Sequence, residues 1–104
     1  MKVTVDFSIF TKSGGAFANA DGTLELDVLP QIGDTISFAF PKEAGLTRVP
    51  GFAGMLRVRD RVLDAGGASG ISLALDDLVM PTVGEADSVA EYLEKGFGLA
   101  VNKY

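Results

Sequence analysis

The sequence predicts a mainly β, α+β fold: a small antiparallel β-barrel or strongly curved sheet of five to six strands, with one helix near the C-terminus. Two observations predict it. Successive stretches alternate apolar with polar residues, the period of a half-buried strand. Only one stretch shows the helical period, and it stands behind a capping motif. With 104 residues, the chain is expected to form a single domain over residues 1–104. Its 47% hydrophobic and 22% charged residues are enough to bury a core and offset the entropy of ordering the chain.

Each element has its own signal. Met1 to Lys12 places Val3, Val5, Phe7 and Ile9 on one face and Thr4, Asp6 and Ser8 on the other, a half-buried strand. Ser13-Gly14-Gly15 interrupts it, and Asp21-Gly22 is the dipeptide favoured in tight hairpin turns because both central residues need positive φ. Leu24, Leu26 and Val28 then alternate with Glu25 and Asp27, which predicts a hairpin with an irregular first arm. In the following segment Pro30 cannot donate to a ladder and Gly33 allows a tight reversal, so a turn falls there. This Pro-x-x-Gly-Asp-x-Ile run resembles the turn that opens a strand in many unrelated small β-barrels, a likeness that implies architecture and no activity.

Ile36, Phe38 and Phe40 alternate with Ser37 and Ala39, predicting a third strand that ends at Pro41. Lys42 to Gly54 is rich in Gly and Pro and reads as a connection. Met55 to Ala65 is a fourth strand, with Leu56, Val58 and Val62 on one face and Arg57, Arg59 and Arg61 on the other. Asp60 falls on the apolar side, where an unpaired charge is costly unless a bulge shifts the register. Ile71, Leu73 and Leu75 form a fifth strand that pairs most simply with the fourth. Thr82-Val83-Gly84-Glu85 and Ser88-Val89-Ala90-Glu91 both match the capping box. Ala86, Val89, Ala90 and Leu93 follow helical spacing, and Gly96 stands where a glycine would stop the helix. Phe97, Leu99 and Val101 alternate as a short sixth strand.

The chain contains neither histidine nor cysteine. That excludes disulfides, thiolate nucleophiles, Cys-ligated metals, the Ser-His-Asp triad and a general base with imidazole chemistry. Carboxylates, lysine and tyrosine remain, so the chain is expected not to be an enzyme and to need no cofactor. A carboxylate enzyme would draw on Asp60, Asp64 or Asp76, with no substrate suggested. The same acids with Asp77 are the candidate ligands for a hard cation, but adjacent strand residues point to opposite faces and no metal is expected. No phosphate-cradling glycine motif occurs. The longest charge-free stretch, Ala65 to Leu75, is Gly-rich and far short of the roughly 18 apolar residues of a membrane span. The alternating N-terminus lacks the unbroken apolar run of a signal peptide, and the expectation is a cytoplasmic protein without membrane contact.

Two features bear on binding. Arg48, Arg57, Arg59 and Arg61 are all the arginines of the chain, and three of them form a stripe on the fourth strand. The stripe suits a small anionic ligand or nucleic acid, or it pairs with Glu25, Asp27 or Asp76 on neighbouring strands. A net charge of −5 and the lack of interleaved aromatics argue against nucleic acid as a partner. Phe52 and Met55, with Phe17, lie in loops the strand pattern does not use, where they either plug one end of the barrel or form a contact surface. The leading expectation is therefore a non-enzymatic protein-interaction or assembly module, self-associating or binding a protein partner through the loop around Phe52 and a sheet edge.

Overall fold

The computed structural model describes residues 1–42, 45–46, 49–67 and 70–104. Strands β1 (Lys2–Thr11) and β2 (Gly15–Glu25) are followed by β3 (Thr35–Ser37), β4 (Met55–Leu63), β5 (Ile71–Leu75) and β6 (Leu78–Met80). Helix α1 (Val83–Phe97) and β7 (Ala100–Lys103) complete the chain. The strands form a seven-stranded sheet in the order β3-β4-β5-β1-β2-β7, with β6 also pairing β1. The fold class is as expected, but among the described residues the sheet does not close into a barrel, because the outer edges of β3 and β7 do not pair. Most pairings are antiparallel. The exceptions are central: β1 runs parallel to both β5 and β6.

The β1 alternation holds, with Val3, Val5, Phe7 and Ile9 all buried on the core face. The hairpin reversal lies at Lys12–Gly14 and not at Asp21-Gly22, which sit inside β2 opposite Asp6 and Val5. Two local facts favour the earlier turn: the Thr11 hydroxyl accepts from the Gly14 amide at 3.0 Å, and Gly15 takes φ +77°. Gly22 answers a packing demand instead, since a Cβ there would lie 2.9 Å from Leu99 Cδ2. A register shift after Ile9 leaves Phe17 as the extra residue of a bulge, half-buried beneath the Lys103 ammonium. The second strand ends at Glu25, so Val28 leaves the sheet and is 72% exposed.

The third strand is shorter than the alternation suggested. Ile36 and Phe38 are buried as expected, but the chain bends after Ser37 and Phe40 is 87% exposed. Strand β4 does carry a bulge, at Arg59 between the Val58–Leu75 and Asp60–Ala74 pairs. The bulge moves Asp60 out of the core and leaves Val62 and Leu63 exposed beyond it. Strand β6 was not foreseen. It continues β5 along β1 after one added residue around Asp76-Asp77.

Helix α1 starts where the capping box predicts, with the Thr82 side chain accepting from the Glu85 amide at 3.2 Å. It stops two residues later than expected: Gly98, at φ +71°, is the left-handed cap. Gly96 lies inside the helix because Pro41 packs against it, and a Cβ there would sit 2.8 Å from Pro41 Cβ. The apolar face of α1 closes the core through Ala86, Val89, Tyr92 and Leu93. No helix among the described residues is long and apolar enough to cross a membrane.

The N-terminal ammonium of Met1 lies 2.6 Å from Glu25 Oε1 and also donates to the Leu26 carbonyl, tying the start of β1 to the end of β2. This hydrogen bond, with the nearby positive charges of Lys2 and Lys42, holds the Glu25 carboxyl below its ordinary value. A depressed carboxylate stabilises the fold above its unfolded pKa, and that contribution is lost as pH falls through the folded value. Glu25→Gln should therefore be slightly less stable than the parent at neutral pH, with the difference vanishing in acid, as urea midpoints measured from neutral to about pH 2 would show.

Candidate interaction surface at the β3 edge

The path from β2 to β3 is set by its turn chemistry. Pro30 is buried, Gly33 takes φ +95°, and the Asp34 carboxylate accepts from the Gln31 amide at 2.8 Å. Gly33 N donates to Val58 O and Val58 N donates to Asp34 O, which docks the turn on β4 and launches β3 beside it. The Pro30–Gly33 turn is thus where the sequence put it, and it delivers three uncharged residues, Thr35, Ile36 and Ser37, to a sheet edge.

The opposite edge of the sheet is defended differently. Strand β7 carries Lys103, whose ammonium pairs with Asp87 and lies over the Phe17 ring. Charge of this kind discourages pairing with another chain. Strand β3 itself carries no charged side chain, though Lys42 borders a depression next to it. Beside it lie two contiguous depressions, one of about 370 Å³ bordered by Asp27, Val28, Asp34 and Thr35, the other of about 190 Å³ bordered by Leu24, Phe38, Phe40 and Phe97. Leu26, Ile36 and Ser37 border both.

The arginines do not form one stripe. Arg48 lies outside the described residues. Arg57 is exposed on the outer face of β4 opposite Thr35, and with Arg59 and Asp76 it borders a depression of about 190 Å³. Arg59, at the bulge, approaches Asp60 and Asp77 at 3.8 and 3.9 Å, both pairs well exposed. Its acids are therefore not the expected Glu25, Asp27 or Asp76. Arg61 stands opposite the buried Leu73, and directly paired residues share a face, so the bulge turns it away from the other two. Its Nε is buried with no hydrogen-bond partner among the described residues. Arg61→Met keeps the aliphatic packing and removes that unsatisfied donor, so it should raise stability by about 1 kcal/mol in denaturant unfolding. A loss of the same size would show that the guanidinium serves the fold.

Phe52 is a core residue, 6% exposed, with its ring set edge-on to Tyr92 at 6.2 Å and near Phe38 at 6.5 Å. Of the two loop alternatives, the plug describes it. Met55 is 57% exposed on β4, opposite Ser37, and so belongs to the surroundings of the β3 edge. Among the described residues no cluster of three or more acids could hold a metal ion.

The chain matches no protein-family model, and no curated protein or solved structure matches it significantly. The surface must be read from its own geometry. What sequence reasoning missed there is Phe40 and Val28, both assigned to strand interiors by alternation. The available signal was Pro41, which restricts the residue before it and ends the strand nearby.

Proposed function

We propose that this chain is a non-enzymatic protein-interaction module, and that its contact surface is the free edge of β3 with the apolar side chains around it. One observation carries the reading: a strand edge that is uncharged, and unpaired among the described residues, lies next to Phe40 and Val28, which are 87% and 72% exposed. A large aromatic ring in water beside a strand edge has no packing value to a monomer, and such edges are where extended chains add to sheets. Met55 joins this surface and Phe52 supports it from within. The partner is a second copy or another protein, and the location is the cytoplasm, in keeping with a chain free of cysteine.

The alternative, a small anionic ligand or nucleic acid held by arginines, has less support. Among the described residues only Arg57 and Arg59 share a site, and Asp60, Asp76 and Asp77 lie beside them. Two phosphate contacts without stacking aromatics make a weak nucleic-acid site at physiological salt.

The reading is tested by photo-crosslinking in cells with Phe40→p-benzoylphenylalanine, against the same substitution at the exposed helix residue Glu94. Adducts to one protein, mapped to contacts around β3, are expected at position 40 alone. Equal crosslinking at both positions would remove the basis for the β3 surface.

A further inference from the structure

The free edge of β3 offers a defined set of backbone groups. Val58 N donates to Asp34 O, and Phe38 N donates to Gly54 O, so residues 34 and 38 turn their main-chain groups toward β4. In an antiparallel pair these groups alternate along the strand, which directs the amides and carbonyls of Thr35 and Ser37 outward. They have no partner among the described residues.

The side-chain surroundings are divided along the same line. Thr35 borders only the larger depression, Phe38 only the smaller, and Ile36 and Ser37 both. The larger depression holds two carboxylates, Asp27 and Asp34, and no cation among the described residues lines it. Asp34 already accepts the Gln31 amide, whereas Asp27 has no hydrogen bond or ion pair among the described residues. The smaller depression is lined mainly by Leu24, Leu26, Phe38, Phe40 and Phe97, with Glu25 and Lys42 also bordering it; Glu25 is taken by the Met1 ammonium and lies near Lys42, so the open carboxylates are those of the larger depression. Alternate residues of a strand project on the same side about 7 Å apart, so residues i and i+2 of an added strand reach the two depressions.

Accepting the interaction reading above, we propose that the occupant is an extended peptide of another protein that adds as a strand to β3. It carries a Lys or Arg two residues from a large apolar side chain. The cation meets Asp27 and Asp34, the apolar residue fills the space beneath Phe40, and Thr35 and Ser37 supply the main-chain hydrogen bonds. Charge favours this occupant over a second copy, since each copy carries −5 and β3 itself brings no cation to the two acids.

The test is a fluorescence-anisotropy titration of the full chain with three labelled hexapeptides. The first, Thr-Lys-Thr-Leu-Thr-Val, has its cation and leucine two residues apart. The second replaces Lys with Glu, and the third places Lys and Leu adjacent, on opposite sides of a strand. The first should bind at least about tenfold tighter than either comparator, with the gap narrowing as salt rises. Asp27→Lys should weaken the first peptide about tenfold and strengthen the second, while Glu94→Lys, the same charge change on the exposed face of α1, should leave the first within about twofold. Ser37→Pro removes an outward amide at a position where edge strands tolerate proline, and should abolish binding with the circular dichroism spectrum unchanged.

If the Lys and Glu peptides bind alike and both are lost in Ser37→Pro, the cationic occupant is overturned and the β3 edge survives as the contact surface. A concentration-dependent dimer seen by light scattering and abolished by Ser37→Pro, with no peptide bound at millimolar concentration, assigns the edge to a second copy and overturns the proposal. Binding indifferent to both Asp27→Lys and Ser37→Pro overturns the proposal and the β3 reading together.

Discussion

Phe38→Ala should cost about 3–5 kcal/mol of unfolding free energy, a large share of the stability of a domain this size. Phe38 is fully buried at the point where the chain leaves β3. Its ring meets Phe97 edge-on at 5.0 Å and approaches Phe7 at 6.3 Å and Phe52 at 6.5 Å. These neighbours come from β1, from α1 and from the connection before β4, so one side chain ties three parts of the molecule together. Its backbone is held as well: the amide donates to Gly54 O and the carbonyl accepts from the Tyr92 hydroxyl. Truncation leaves a cavity that rigid neighbours cannot fill, and it loosens the floor of the smaller depression beneath Phe40. Denaturant unfolding measures the cost, and a loss below about 1 kcal/mol would mean that the aromatic cluster does not lock the loop to the sheet.

The second large effect comes from a glycine. Gly51→Ala should cost about 2–5 kcal/mol, because two penalties coincide there. The residue takes φ +91°, where a side chain strains the backbone, and its Cβ would lie 2.8 Å from Pro81 Cδ and 3.0 Å from Glu85 Oε2. Pro81 cannot swing aside as a long flexible chain would, and it directly precedes the cap of α1. Gly98→Ala is the comparison. It too has positive φ, +71°, but a Cβ there meets nothing within 4 Å, so only the conformational penalty of about 1 kcal/mol applies. Equal costs for the two variants would show that the loop before β4 is free to move away from Pro81.

Local physics was readable in this sequence, and pairing between distant segments was not. The alternation of Val3, Val5, Phe7 and Ile9 identifies β1 because one face must be dry. Thr82 and Glu85 mark the start of α1 because a hydroxyl and an amide three residues on satisfy each other. Pro30 and Gly33 mark their turn for equally local reasons. The glycines were harder, because each has more than one use. Gly22 and Gly96 make room for Leu99 and Pro41, side chains distant in sequence, whereas composition alone suggested a turn and a helix stop. The bulge at Arg59 could be anticipated from Asp60, whose charge could not stay in the core, but its consequence for Arg61 needed the register with β5. The parallel placement of β5 and β6 beside β1 leaves no local mark at all. Hence the open β3 edge, a product of sheet order, is legible only as a general possibility, and alternation alone puts Phe40 on the wrong side.

The central claim is that the outward main-chain groups of Thr35 and Ser37 receive a partner strand. Residue-resolved amide hydrogen exchange tests it most directly, in the free chain and with saturating Thr-Lys-Thr-Leu-Thr-Val peptide. The account predicts fast exchange at Thr35 and Ser37 in the free protein, and slowing of at least about tenfold on binding, with Ile36 little changed because its amide already faces β4. Protection confined to other strands, or Thr35 and Ser37 already protected in the free monomer, would contradict it.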